Sequence, residues 1–277
     1  MTPDALARGL AERPRVMDAA MGTRLIARGL DPARDDASLW NCTRPGAVAA
    51  LHAEDRAAGA DLIVTNTFGA HAARLSQLGW AENAADLVGE AARLARAAAR
   101  ESAWVFGNIG GGACGDERDL IRLAEVLESA GVDALYFETL FFDQAARALS
   151  WIRARTRLGV VVSLVPEQAP PVSWRERGAR LEALGASAVG LNCGSIASVN
   201  AALRELARGT SLPLLVKPAL VSPAGEPESQ AAPPWGSLVG SWIERGVRLI
   251  GACCGSTSAD VACLRDAVDA AWPAPAP

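Results

Sequence analysis

The sequence predicts an α/β protein built as a single-domain (β/α)8 barrel, and three observations carry that prediction. Short apolar or β-branched runs alternate with Ala/Leu/Arg-rich stretches of helical period, the pattern of βαβ units around a parallel sheet. Eight such units fit into about 250 residues, the size and count of that barrel. One device also recurs: a glycine closes a helix and a short turn enters the next strand. It stands in Ala58-Gly59-Ala60-Asp61, Ala130-Gly131-Val132-Asp133-Ala134, Leu184-Gly185-Ala186-Ser187-Ala188 and Arg245-Gly246-Val247. A doubly wound open sheet is the alternative. Against it, the first strand runs into Ala19-Ala20-Met21-Gly22-Thr23, and no Gly-x-Gly-x-x-Gly opens a helix there.

In chain order, the apolar runs place strands at 15–18, 61–66, 103–108, 134–138, 160–164, 188–193, 214–217 and 249–253. The helical stretches place helices at 47–58, 84–100, 117–130, 144–156, 175–184, 197–208, 238–245 and 259–271. Composition marks no boundary inside the chain, so the barrel is expected over 1–272. The alternating Pro and Ala of 273–277 read as a flexible tail, and Pro/Gly-rich 222–236 as a long loop after the seventh strand.

Half of the 277 residues are hydrophobic, enough for a sizeable core. The 27 Lys and Arg nearly balance the 31 Asp and Glu, leaving a net charge of −4 with no basic run. That argues against nucleic acid or a polybasic membrane patch and favours small neutral or zwitterionic partners. Pro3, Arg8, Glu12, Arg13 and Pro14 interrupt the first residues, so no signal-peptide core is read there, and no apolar stretch reaches membrane-spanning length. A cytoplasmic protein is expected. Its six cysteines then point to thiols, metal ligands or packing rather than to disulfides.

Barrel chemistry sits at the C-terminal ends of the strands. There the sixth strand ends Leu191-Asn192-Cys193-Gly194 and the eighth ends Gly251-Ala252-Cys253-Cys254-Gly255. Three sulfurs arriving at one rim suit a zinc site with one exchangeable position, while a vicinal redox disulfide between Cys253 and Cys254 is the competing reading. Cys42, Cys114 and Cys263 stand apart and read as packing residues. Polar strand ends are Asp18, Thr65-Asn66-Thr67, Asn108, Glu138 and Lys217. A carboxylate closing the apolar run Ala134-Leu135-Tyr136-Phe137-Glu138 is costly unless paired or facing a site, so Glu138 is either a rim contact or a ligand group. Asp18 caps the following turn or binds a cation. Met21-Gly22-Thr23 offers amides to an anion or simply makes a tight turn, and Lys217 is read as a solvated rim lysine. His52 and His71 lack a third partner for a hydrolytic triad.

Together, Asp18-Ala19-Ala20-Met21-Gly22-Thr23, Thr65-Asn66-Thr67-Phe68-Gly69-Ala70, Phe137-Glu138-Thr139, Gly190-Leu191-Asn192-Cys193 and Gly251-Ala252-Cys253-Cys254-Gly255-Ser256-Thr257 resemble the homocysteine S-methyltransferase family. That family includes betaine–homocysteine methyltransferase and the homocysteine-binding module of cobalamin-dependent methionine synthase. The match runs in order over nearly the whole chain, and the paired cysteines after an Asn-Cys are its most specific part. The resemblance implies a (β/α)8 barrel with Cys193, Cys253 and Cys254 as Zn2+ ligands. It also implies Asp18 and Glu138 on the homocysteine amino group, the Met21 and Gly22 amides on its carboxylate, and Thr65 and Asn66 at the substrate.

The expected activity is methyl transfer to the homocysteine thiol, giving methionine. A thiol is mostly protonated at neutral pH, and metal binding deprotonates it, which makes it a nucleophile for an electrophilic methyl. The donor is a small onium compound, held by aromatic faces at Trp40, Phe68, Tyr136 and the Phe141-Phe142 pair, or a methyl-corrinoid on a separate protein. Several positions depart from the family pattern. Ala19 and Ala20 replace two glycines, Asn108-Ile109-Gly110-Gly111-Gly112 replaces a Gly-Pro and leads into a shortened loop, and Val165-Pro166-Glu167-Gln168-Ala169-Pro170-Pro171 lacks the usual glycines. After Lys217-Pro218, Ala219-Leu220-Val221 stands for Asn-Ala-Gly. These loops leave two alternatives open, a different thiol acceptor or a non-catalytic zinc- or thiol-binding barrel.

Overall fold

Strands buried on both faces must be apolar throughout, and the runs that meet this condition become the barrel. The computed structural model describes residues 1–166, 172–221 and 233–273. The expected features at 167–171, 222–232 and 274–277, which include most of the long loop and of the tail, lie outside the described residues. Eight parallel strands form one sheet: β1 (Arg15–Val16), β2 (Leu62–Val64), β3 (Trp104–Gly110), β4 (Ala134–Leu140), β5 (Val160–Leu164), β6 (Ala188–Asn192), β7 (Leu214–Lys217) and β8 (Val247–Ile250). Their spatial order is β1-β8-β7-β6-β5-β4-β3-β2. An isolated parallel bridge between Met17 and Leu62, with Asp61 N donating to Val16 O at 2.7 Å, joins the two ends and closes the barrel.

The recurrent glycine device is present. Gly59, Gly131, Gly185 and Gly246 all have φ between +79° and +99°, the left-handed region that favours glycine at a helix end. The residue two places after the first three of them adds a contact the sequence reading did not include. Asp61 accepts from Val16 N at 2.8 Å, Asp133 from Val105 N at 2.6 Å and Ser187 from Val160 N at 3.1 Å, so each enters one strand and pins the start of its neighbour.

Most expected helices are found within one to three residues of their predicted bounds, for example Ala84–Ala99, Glu117–Ser129 and Ser258–Ala271. Three differences bear on the site. Helix Pro3–Glu12, which had no counterpart in the prediction, is capped by Thr2 and buries Leu6 and Leu10 completely against Met17, Leu62 and Phe106, filling the N-terminal end of the barrel. Helix Met21–Ala27 begins where only a turn was expected. β8 ends at Ile250 rather than 253, because the chain then pairs with the loop after β7. Cys253 N donates to Pro218 O at 2.7 Å and Leu220 N to Cys254 O at 2.8 Å. No helix among the described residues is long and apolar enough to cross a membrane.

Candidate functional site

Cys193 follows the last residue of β6 and has φ +57°, a left-handed conformation that a non-glycine residue adopts only when its surroundings enforce it. Cys193 N donates to Lys217 O at 3.2 Å, fixing that corner. Cys253 and Cys254 stand in the loop after β8, which turns at Gly255 with φ +84°; a side chain there would also strike Val221, 2.6 Å from a Cβ. The Cys193 sulfur lies 3.0 Å from that of Cys253 and 3.9 Å from that of Cys254, and the Cys253 and Cys254 sulfurs are 3.9 Å apart.

These distances bear on the two readings of the trio. A tetrahedral metal with bonds of about 2.3 Å to sulfur has sulfur–sulfur edges of about 3.8 Å. Two of the three edges match that value, and the third is far longer than a disulfide bond of about 2.05 Å. Three soft thiol donors converging within 4.8 Å are a set that zinc suits, with the fourth position left to a ligand. Hydrogen bonds from the Cys193 and Cys253 thiols hold the Cys254 sulfur well below the usual thiol range. Among the other cysteines, Cys114 is packed as expected, whereas Cys42 and Cys263 are exposed on helices rather than buried.

The trio opens into a cavity of about 240 Å³ at the C-terminal mouth of the barrel, lined also by Asp18, Thr65, Asn66, Asn108, Glu138 and Lys217. A wider groove of about 510 Å³ beside Phe142 and Arg180 contains no cysteine and lies between outer helices. Asp18, 3% exposed, follows β1 and accepts from Val64 N at 2.8 Å, while its Oδ1 has no hydrogen-bond partner among the described residues. Burial pushes its carboxyl up to about 7 although Lys217 pulls the other way. Glu138, 8% exposed on β4, accepts from Asn108 Nδ2 at 2.7 Å.

Thr65 and Asn66, which line the cavity, also brace it. Thr65 Oγ1 accepts from Asn108 N at 2.9 Å and shares a hydrogen bond with Thr67 Oγ1, which donates to Asn108 O at 2.6 Å. Asn66 Nδ2 donates to Ala37 O and to Asn41 Oδ1. The Met21 and Gly22 amides belong to the first turn of helix Met21–Ala27, where backbone donors have no intrahelical acceptor, and both residues line the cavity. That turn is held from behind. Asp55, fully buried, accepts from Ala19 N and pairs with Arg24, whose Nε donates to Ala20 O; Ser256 Oγ accepts from Ala20 N at 3.0 Å and donates to Ala252 O.

The predicted aromatic cage is corrected. Trp40 is 2% exposed, donates its indole N–H to Asp35 and does not line the cavity. Tyr136 is fully buried inside the barrel and bonded to Ser163, because its position in β4 points it at the core two residues below the rim. Phe142 is also packed, and Phe141 is exposed outside the cavity. Phe68 is the one predicted aromatic that lines the cavity. A second correction concerns Lys217, which is 4% exposed rather than solvated, with Nζ 3.6 Å from Asp18 Oδ1 and 3.9 Å from Glu138 Oε1. The argument applied to Glu138, a charge closing an apolar strand, would have found it in Leu214-Leu215-Val216-Lys217.

The family model for homocysteine S-methyltransferase matches residues 15–268. The chain belongs to this family. It is 30% identical over 296 residues to methionine synthase of Mycobacterium tuberculosis, matching 91% of this chain and 24% of that one, so it spans about a quarter of such relatives. It is 28% identical to the homocysteine S-methyltransferase of Escherichia coli over 90% of this chain and 94% of that protein. The crystal structure of the homocysteine methyltransferase MmuM from Escherichia coli in its metallated form superposes with a TM-score of 0.78 at 27% identity, covering 94% of this chain and 99% of that one. The family member thus shares the barrel over its full length.

Proposed function

We infer that this chain is a zinc-dependent methyltransferase that moves a methyl group to the thiol of homocysteine, giving methionine. The observation that carries the reading is the cavity itself. It places three convergent thiols at one side and two carboxylates, Asp18 and Glu138, at another, matching the thiol and the ammonium of one small amino acid. Cys193, Cys253 and Cys254 would hold the zinc, whose chemistry is to keep an additional thiol deprotonated at neutral pH. The chain's own groups do the rest. Asp18 and Glu138 take the ammonium, and the first-turn amides of Met21 and Gly22 take the carboxylate. Thr65, Thr67 and Asn66 hold the rim so that these groups are in place before the ligand arrives.

Two donor classes fit this mouth. An onium donor is best held over several aromatic faces, and only Phe68 of the predicted aromatics lines the cavity. A methyl-corrinoid carried by a separate protein needs apolar surface around an accessible mouth. Phe68, 47% exposed, lines the cavity, and Phe141, 54% exposed, follows β4 at that end. The methyl-corrinoid is therefore the first donor to test. The experiment supplies zinc-loaded protein with L-homocysteine and, in parallel, methylcobalamin, betaine and S-methylmethionine, and measures methionine. Methionine from methylcobalamin is expected. Turnover with an onium donor alone reassigns the donor, and no methionine from any of the three overturns homocysteine methylation in favour of another thiol or a non-catalytic role.

A further inference from the structure

Lys217 stands between the two acids of the cavity without hydrogen-bonding either. Its distances of 3.6 Å to Asp18 Oδ1 and 3.9 Å to Glu138 Oε1 are ion-pair distances, beyond the 2.7–3.2 Å of a normal N–H···O bond. Asp18 Oδ1 is shielded from solvent and has no donor among the described residues, and Asn108 Oδ1 is in the same condition. Asn108 is turned that way by its own Nδ2, which donates to Glu138 Oε2. The lysine therefore brings charge to this corner but leaves its acceptors unfilled. With both carboxylates ionised, the two acids and one ammonium sum to −1, which leaves the corner short of one cation rather than two.

We propose that Lys217 is a positioning residue that organises Asp18 and Glu138 into a receptor for a single ammonium group, and that it makes no direct contact with the ligand's carboxylate. The proposal rests on the homocysteine reading. Without the lysine, two buried carboxylates face each other with nothing between them, a condition relieved by protonation of one or by movement apart. Either response removes the acceptor geometry an ammonium needs. Lys217 is 4% exposed, and its ammonium lies within ion-pair distance of both carboxylates. Arg24 and Asp55, the other charged groups near Asp18, pair with each other and face the backbone of Ala19 and Ala20.

The test measures binding by calorimetry of L-homocysteine and of 4-mercaptobutanoate, which keeps the thiol and carboxylate but lacks the amino group. Zinc-loaded wild type, Lys217→Met and Lys217→Arg are compared, with zinc content and thermal melting reporting that each variant is folded. The expected result for Lys217→Met is a loss of about a hundredfold or more for homocysteine with little change for 4-mercaptobutanoate. Lys217→Arg, which keeps the charge, is expected to retain the preference for the amino acid, so it decides the matter if the Met variant does not fold. An equal loss for both ligands means that Lys217 meets the carboxylate, and an unchanged preference in Lys217→Met, or its loss in Lys217→Arg, means that the charge does not organise the acids. Each overturns the proposal alone. Wild type that binds neither thiol refutes the homocysteine reading, and the lysine's role with it.

Discussion

Replacing Glu138 by Gln removes one charge from the cavity and keeps its shape. In the native site Glu138 accepts from Asn108 Nδ2 at 2.7 Å and faces Lys217 Nζ at 3.9 Å. After the substitution, Asp18 and Lys217 cancel, and an arriving ammonium meets a neutral corner where one net negative charge had been. Leaving one member of a buried pair unmatched costs about 3–5 kcal/mol. The cavity opens to solvent at its mouth, so the lower end applies, and about 3 kcal/mol corresponds to roughly a 150-fold loss of homocysteine affinity. The three sulfurs are untouched, and zinc content is expected to stay that of the wild type. Calorimetric titration with L-homocysteine alongside metal analysis checks both statements. Affinity within about threefold of wild type at full zinc content would show that Glu138 is a rim contact and does not bind the ammonium.

Other substitutions test the supports of the site. Cys193→Ala, Cys253→Ala and Cys254→Ala are each expected to lose most bound zinc, whereas Cys42→Ala, Cys114→Ala and Cys263→Ala retain about one ion per chain by mass spectrometry; full retention in Cys254→Ala refutes the trio. Arg24→Met leaves the fully buried Asp55 carboxylate without its cation, and urea denaturation is expected to show a destabilisation of about 3–5 kcal/mol; a change under about 1 kcal/mol contradicts the pairing. His52 is fully buried with neither ring nitrogen hydrogen-bonded among the described residues, and burial followed by the nearby Arg24 lowers its pKa to about 3 from 6.5. The native ring stays neutral while the unfolded one protonates, so its contribution is present above the unfolded pKa and is lost as pH falls from about 6.5 toward 3. Asp18, raised by burial, acts with the opposite sign over an overlapping window, but it is common to both proteins when His52→Gln is compared with wild type. The wild type is expected to lose stability relative to that variant by about 1.4 kcal/mol per pH unit between about pH 6 and 4. Parallel stability curves refute the assignment of a neutral buried ring.

Much of the barrel was legible because its determinants are local. A strand buried on both faces is an apolar run, and the glycine before each turn has a φ that other residues avoid, so β5 and β7 fall on their predicted bounds and Gly59, Gly131, Gly185 and Gly246 where the device requires them. Helix Pro3–Glu12 was equally local in its signals, with Thr2 as cap, Pro3 in the first turn and Leu6 and Leu10 four apart. The same charges and prolines that break a signal-peptide core in those residues are compatible with a short amphipathic helix. The end of β8 was not local, since pairing of the two rim loops through Pro218 and Cys254 sets it. In the site, the cysteines and acids stand at strand ends, where barrel topology alone brings them together. Trp40 and Tyr136 show the limit of that reasoning. Which way a side chain near the rim turns depends on pleat and on packing, and Tyr136 turns inward to Ser163 while Trp40 turns to Asp35. The burial of Lys217 is readable from its place at the end of an apolar strand, but its pairing with two acids, one after β1 and one on β4, is set by how the barrel closes.

The central claim is that Cys193, Cys253 and Cys254 hold a zinc ion whose remaining position receives the thiol of homocysteine. X-ray absorption at the zinc edge tests it without any methyl donor, on purified chain before and after addition of L-homocysteine. Three sulfur scatterers are expected in the free protein and four in its presence, with one fewer in each state for any Cys254→Ala protein that retains metal. A sulfur count that homocysteine leaves unchanged, in wild-type protein carrying a full complement of zinc, contradicts it.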